Sequence, residues 1–265
     1  MSKLLLGNAG IIAGSVAFVI SVFTAVLPAR AESEDPVALL KSMTDYVNGQ
    51  KSISVVADAD IEVVTYDLQK IQFTSSIDLL MSRPDKLRAS RRGGYADVDL
   101  IFDGKSFTLL GKYRNVYAQV ENEGTTDQLI DRLRQDYSIE APGADLLLTS
   151  AYDELMRDVS DAKYIGHGVV GGVDCDHLAF RKNETDWQIW IERGSKPIPR
   201  KYVITSKGIA GAPQYTLVIR DWQTEKPIAA EAFAFVAPAG AKKMDVSELA
   251  ELDEVPPGIV EGEKK

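Results

Sequence analysis

Few side chains in this sequence are of types that do chemistry, and their spacing keeps them apart. The histidines are His167 and His177, and Cys175 is the single cysteine. Gly171-Gly172 reads as a two-residue hairpin loop. That loop pairs Val170 with Val173, sets His167 opposite Asp176, and turns Cys175 and His177 to the other face. The three potential ligands do not converge on a metal, so a cross-strand His167 to Asp176 ion pair is the simpler expectation. As a nucleophile Cys175 needs a base, and His177, two residues along the same strand, is poorly oriented to take its proton. Asp58 with Asp60, and Asp97 with Asp99, fall on alternating strand positions that should face water, where carboxylates serve solubility and edge protection. Gly-x-Ser-x-Gly, Gly-x-x-x-x-Gly-Lys and His-Glu-x-x-His are all missing. The residues thus give no catalytic set, no metal site and no cofactor, and the expectation is a protein that is not an enzyme. Trp187 and Trp190 fall on opposite faces of one strand, so one can be core and the other partly exposed.

Charge and length narrow the class further. The 265 residues are 45% hydrophobic and 26% charged, with a net charge of -9, which fits a globular chain and argues against binding nucleic acid through phosphate neutralisation. Lys3, an apolar run from Ile11 to Leu27 and the small-residue stop Ala29-Arg30-Ala31 read as an export signal cleaved after Ala31. The run is just short of a comfortable membrane span, so retention as an anchor stays open. Cleavage would remove two basic residues and no acids, leaving a chain of net charge -11, periplasmic and without a stable span. The expected organisation is a signal peptide over 1–31, one domain over 32–241, and an acidic, disordered tail over 242–265.

The elements that must hold any site are mostly strands. Asp35-Pro36 caps a helix carrying Val37, Leu40, Met43 and Val47 at helical spacing. From Ser52 the period becomes two, with Ile53, Val55, Ala57, Ala59, Ile61 and Val63 alternating with polar residues. The next stretch repeats this through Ile71, Phe73, Ser75, Ile77, Leu79 and Met81. Shorter strands follow at 86–91, 98–102, 107–110 and 116–120, with Asp103-Gly104-Lys105 as a tight turn. Two helices interrupt, one capped by Thr126 and one over about 144–157, and strands resume at 164–170, 173–181, 187–192, 200–206, 214–222 and 232–236. So many sequential antiparallel strands must curl, close or split. The amphipathic helices must cover the concave apolar face.

Several short motifs in order carry a family resemblance. Arg83-Pro84-Asp85-Lys86-Leu87-Arg88, Asp103-Gly104-Lys105 and Tyr117-Ala118 resemble the first half of the bacterial lipoprotein-carrier superfamily of LolA and LolB type. His177-Leu178-Ala179-Phe180-Arg181, Asp186-Trp187-Gln188-Ile189-Trp190-Ile191-Glu192, Pro197-Ile198-Pro199-Arg200-Lys201 and Phe233-Ala234-Phe235 resemble one branch of it, a family of predicted periplasmic proteins of undetermined function. The resemblance spans about residues 36–241. It implies a mainly β (α+β) fold: a curled antiparallel sheet, or incomplete barrel, of about eleven strands with a helical lid over an apolar cavity. In carriers of known role that cavity holds acyl chains. It also aligns Arg83 with an arginine linked to holding the lid closed, a latch whose guanidinium would donate to lid carbonyls; an exposed strand-end arginine is the alternative.

The alternation places Val55, Ala57, Ala59, Ile61, Phe73, Ile77, Leu79, Leu100 and Phe102 on the expected cavity wall. Ala57 and Ala59 are small where a filled core would favour Val or Ile, which makes room either for a closely packed lid helix or for a ligand. Arg88, Arg91 and Arg92 form a basic stretch that could meet lipid phosphates or an acidic partner, with a solvated strand face as the bland reading. The expected function is binding of a lipid or lipoprotein acyl chain in the half-barrel. A scaffold with a filled core that meets an envelope partner comes second, and a hydrolase third.

Overall fold

The period-two stretch after Ser52 forms a long strand, β1 (Ser52–Val64), whose neighbour β2 (Lys70–Ser82) is equally long. These belong to a computed structural model that describes residues 34–246, apart from 140 and 225, together with 255 and 259. The expected export signal and most of the acidic tail lie outside the described residues. Around the long pair are β3 (Lys86–Gly93), β4 (Asp97–Phe102), β5 (Ser106–Gly111), β6 (Val116–Glu121), β7 (Asp161–Val170), β8 (Val173–Arg181), β9 (Thr185–Glu192), β10 (Pro199–Ser206), β11 (Gln214–Gln223) and the short β12 (Lys242–Lys243).

All twelve strands form one sheet in the order β12-β6-β5-β4-β3-β2-β1-β11-β10-β9-β8-β7. β1 is the seam: it pairs with β2 on one side and with β11 on the other, so Ala57 stands beside both Ile77 and Ile219. Register shifts at Val56/Ala57, Pro199/Lys201 and Tyr164/Gly166 bend the strands, since an unpaired extra residue increases local twist. The sheet curls without closing, and β12 and β7 stand at its two edges. Gly171 and Gly172 take φ of 57° and 83°, the left-handed pair that lets a two-residue loop match strand twist.

Helix α1 (Pro36–Asn48) begins where Asp35 accepts from Val37 N at 2.9 Å, and it buries Leu40, Met43 and Val47. It packs against β7 and β9 and so fills the C-terminal half of the concave face. Helix α2 (Thr126–Tyr137) has a full capping box, Thr125 with Gln128. Thr126 N donates to Pro84 O at 2.9 Å, which seats α2 on the β2–β3 turn.

Three expectations need correction. The helix expected over 144–157 is a 3-10 turn (Ala144–Leu147) followed by α3 (Ala151–Met156), broken where Leu148 is extended. The strand expected at 232–236 is a 3-10 turn (Ala230–Phe233) beside β3, with Phe233 buried and Phe235 against Tyr117. The ordered body continues past 241: β12 pairs in parallel with β6, Met244 N donates to Tyr117 O at 2.8 Å, and Val246 is buried.

Candidate functional site

Between the N-terminal half of the sheet, α2 and residues 138–139 and 141–147 lies a hollow of about 450 Å3, within the range of small-molecule sites. Its wall takes Val55, Ala57, Ala59 and Ile61 from β1, Ile77 and Leu79 from β2, and Leu100 from β4. β11 adds Leu217, Ile219 and Trp222, and α2 adds Ile130 and Leu133. Ala57 and Ala59 form the floor and are nearly covered, at 1% and 2% exposure. Ile61, Ile77, Leu79 and Leu100 are only half-buried. Apolar side chains on an inward face that still meet solvent lack a protein partner there, which is the physical content of a vacancy.

Two of the expected wall residues lie elsewhere. Phe73 shares the face of Ile61, its register partner, but sits beyond the hollow, edge-on to Tyr95 with ring centroids 5.8 Å apart. Phe102 is fully buried beside its register partner Phe107 in the packed core and does not reach the hollow.

The lid over this hollow is formed by residues 138–139 and 141–150, and it is fastened by polar ties. Arg83 Nη2 donates to Leu147 O at 2.7 Å. Burial pulls the Arg83 guanidinium below its ordinary value, with Asp127 opposing the shift, and its Nε has no partner. Tyr202 on β10 donates to Asp145 Oδ2 at 3.1 Å. Thr149 N donates to Asp127 Oδ2 at 3.0 Å, and Asn48 Nδ2 to Thr149 O at 2.8 Å. Gly143, at φ 90°, lies against β11: a Cβ there would come within 3.1 Å of Leu217 Cδ2.

Polar groups inside the hollow are few. Ser75 Oγ and Trp222 Nε1 are buried in its wall with no hydrogen-bond partner. Arg91 and Arg134 also line it. The basic stretch of β3 is therefore not one solvated face. Arg91 turns inward in register with Ile77, whereas Arg88 pairs with Asp99 at 3.1 Å and donates to Ala232 O at 3.3 Å on the opposite face. Asp99, expected to face water, is 2% exposed and is also paired with Lys112 at 2.7 Å.

The histidines and the cysteine lie away from the hollow. His167 is in register with Asp176, as the glycine loop requires, but Asp176 takes Arg193 as its cation at 3.3 Å and accepts from Tyr164 at 3.0 Å. The expected His167 to Asp176 ion pair is thus replaced. Glu34, missed from sequence because it precedes the first helix, joins His167 and Asp176 with ligand atoms all within 4.8 Å of one another. Arg193 already stands among them, its Nη2 3.6 Å from Glu34 and its Nη1 2.7 Å from His167 Nδ1. Cys175 is buried, and burial pushes its thiol up, away from the thiolate. His177 stacks on Trp190 with centroids 3.9 Å apart and bonds Gln188. Trp187 is core and Trp190 half-buried on the opposite face.

A family model described as "Predicted periplasmic protein (DUF2092)" matches residues 37–247. The chain belongs to that family. The DUF2092 description gives it a periplasmic address and agrees with the resemblance carried by the sequence motifs. Among solved structures, it is similar to an uncharacterized conserved protein from Thermus thermophilus (9% identity, TM-score 0.46, covering 78% of this chain and 97% of that one). It is similar to the Mycobacterium tuberculosis lipoprotein LppX (12% identity, TM-score 0.38, covering 73% and 97%). A third is a putative outer membrane lipoprotein-sorting protein domain from Vibrio parahaemolyticus (8% identity, TM-score 0.34, covering 75% and 95%). No curated protein matches the DUF2092 chain. Among its described residues no helix is long and apolar enough to cross a membrane.

Proposed function

We propose that this periplasmic protein is a non-enzymatic binder of an apolar ligand, a lipid or lipoprotein acyl chain, held in the hollow between the curled sheet and the lid. The observation that carries this reading is the half-buried apolar wall around a cavity of about 450 Å3. Every methylene moved from water into it gains about 0.8 kcal/mol, so even part of an alkyl chain supplies a useful binding energy. Uptake follows from the lid. Release of the ties at Arg83 and Asp145 would uncover Ala57, Ala59 and their neighbours, the chain enters by leaving water, and exit needs a membrane or receptor that competes for it.

The test is extraction. Organic extracts of the protein purified from its native envelope, analysed by mass spectrometry, should contain lipid in near-stoichiometric amount. Extracts free of lipid, together with no uptake of added lipid by the purified protein, would sink the binder and leave the scaffold reading.

A further inference from the structure

The large apolar side chains left in the open are not spread evenly. Among the described residues eight are exposed, and five of them, Tyr66, Leu68, Tyr95, Tyr113 and Ile209, stand in the turns β1–β2, β3–β4, β5–β6 and β10–β11, each 56–69% exposed. Neighbouring strands here run antiparallel, so those four turns lie at one end of the sheet, side by side in its strand order. The turns of the other end, β2–β3, β4–β5, β7–β8 and β9–β10, carry no such side chain among the described residues. The tips are braced against one another and the sheet: Lys70 Nζ donates to Ala212 O at 3.4 Å, Tyr113 Oη donates to Gly93 O at 3.0 Å, and Tyr95 meets Phe73 edge-on. Leu68 is held at φ 65°, in the left-handed region that suits glycine and makes a bulky residue an outlier. Its N donates to Thr65 O at 2.9 Å to close the turn. Strain accepted for an exposed leucine points to a use for its side chain outside the folded body.

The hollow opens at this same end. On the inward face of β1, Val55, Ala57 and Ala59 are buried, whereas Ile61 and Val63 are half-buried, as are their register partners Phe73 and Ile71 on β2. Arg83 fastens the lid at the far end, while Ser138, Ala141 and Pro142, which also line the hollow, are exposed. An apolar track thus joins the tips to the hollow. Resting on the reading of the hollow as an acyl-chain site, we infer that this rim is a membrane-docking edge. Its five apolar tips dip into the headgroup boundary of a bilayer, and an acyl chain passes over Val63 and Ile61 into the hollow without crossing water. Every methylene exposed on the way would raise the barrier to transfer, and contact at the mouth avoids that exposure. Tyrosine suits the place, since its ring enters the boundary while its hydroxyl stays wet. Residues 65–70, 92–97, 112–115 and 207–213 hold five basic side chains against two acids in a chain of net charge -9, which suits an anionic headgroup layer. Lys70, Lys112 and Lys207 are ion-paired with Glu62, Asp99 and Asp186 on the strands behind them, so the apolar tips supply most of the attachment.

The experiment takes the protein purified from the periplasm and delipidated, and measures its cosedimentation with large vesicles of phosphatidylethanolamine and phosphatidylglycerol. The wild type should sediment with them, and Leu68→Asn/Ile209→Ser should need at least about tenfold more lipid for the same bound fraction. Asparagine tolerates the left-handed backbone at 68, and both sites are exposed, so this variant keeps the fold, which an unchanged urea melt verifies. Ile165→Ser/Val169→Ser removes the exposed apolar pair of β7 and should stay within about twofold of the wild type. A wild type that ignores vesicles, a rim variant that binds as the wild type does, or two variants that lose equally overturns the docking edge. So does self-association of the wild type that the rim variant abolishes while vesicles have no effect, which would give the rim to a second copy. Uptake of the uncharged dye N-phenyl-1-naphthylamine in solution reads the hollow separately. Dye uptake without vesicle binding overturns the edge and leaves the acyl-chain site; rim-dependent vesicle binding without dye uptake supports the edge and overturns the acyl-chain reading.

Discussion

Arg83, at the end of β2, donates from Nη2 to the carbonyl of Leu147 in the lid at 2.7 Å, spanning 64 positions of chain with one charge-assisted bond. The guanidinium is partly desolvated to make it, and burial lowers its pKa. Replacement by methionine keeps the stem, removes the donor and leaves the Leu147 carbonyl short of a partner, at a cost of about 1–3 kcal/mol. The Arg83→Met variant should unfold at lower urea concentration by that amount. Amide exchange at 146–149 should accelerate more than in α1, because the bond fastens the lid and not the C-terminal core. Uniform acceleration would show that Arg83 supports the whole fold and is no latch.

Ala57 and Ala59 test whether the hollow is used. If ligand occupies the space above them, Ala57→Leu or Ala59→Leu fills it, abolishing displacement of a hydrophobic dye with a stability change under about 1 kcal/mol. If protein atoms occupy it, the added methylenes force side chains off their rotamers and cost about 1–3 kcal/mol. Dye titration and urea melting on the same samples separate the two outcomes.

What could be read in advance, and what could not, follows one physical division. Local rules placed the long strands β1 and β2, the cap at Asp35, and the register of β7 with β8 down to His167 facing Asp176, while the start of α2 falls one residue off, since Thr125 and not the expected Thr126 is its cap. Each depends on residues a few positions apart. The misplaced features depend on distant partners. Phe233-Ala234-Phe235 alternates like a strand, yet Phe233 is buried in a 3-10 turn beside β3 and Phe235 meets Tyr117. Phe102 shares the inward face of Leu100 but is buried in the packed core beside its register partner Phe107. Arg91 reads as a surface charge because it stands in a basic stretch with Arg88 and Arg92. The odd-even alternation from Leu87 through Ala89 was the available signal.

Asp145 gives the lid a dependence on pH with a definite sign. Burial raises its pKa above the ordinary carboxylate value, against the lowering effects of the Tyr202 hydrogen bond, Leu146 N–H and the Arg134 charge. Lys182 also interacts with it, and Tyr202, whose own pKa is pushed well above the ordinary phenol value by burial and by Asp145, faces it from β10. A carboxyl whose folded pKa lies above its unfolded value of about 3.9 contributes stability that is complete below that value and is lost as pH rises through the folded one. Asp145→Asn keeps an acceptor for Tyr202 and cannot ionise. The variant should be more stable than the wild type near pH 7, and the difference should shrink toward pH 4. Urea melts of both proteins across this range check it, and a difference that does not change with pH refutes the assignment.

Arg193 stands where a metal ion would stand. Its guanidinium lies 3.3 Å from Asp176, 3.6 Å from Glu34 and 2.7 Å from His167, and the ligand atoms of those three residues lie within 4.8 Å of one another. One fixed positive charge already balances the carboxylates, and a second cation entering the cluster would meet direct repulsion. Zinc and EDTA should therefore leave the wild-type Tm unchanged. Arg193→Ala removes the resident charge and leaves one imidazole and two carboxylates able to converge, a donor set zinc accepts. In that variant zinc at about 100 times its Kd should restore about 2.7 kcal/mol, seen as a rise in Tm that EDTA reverses. A wild-type protein that already gains stability from zinc would mean that Arg193 swings aside and the cluster is a metal site in its own right.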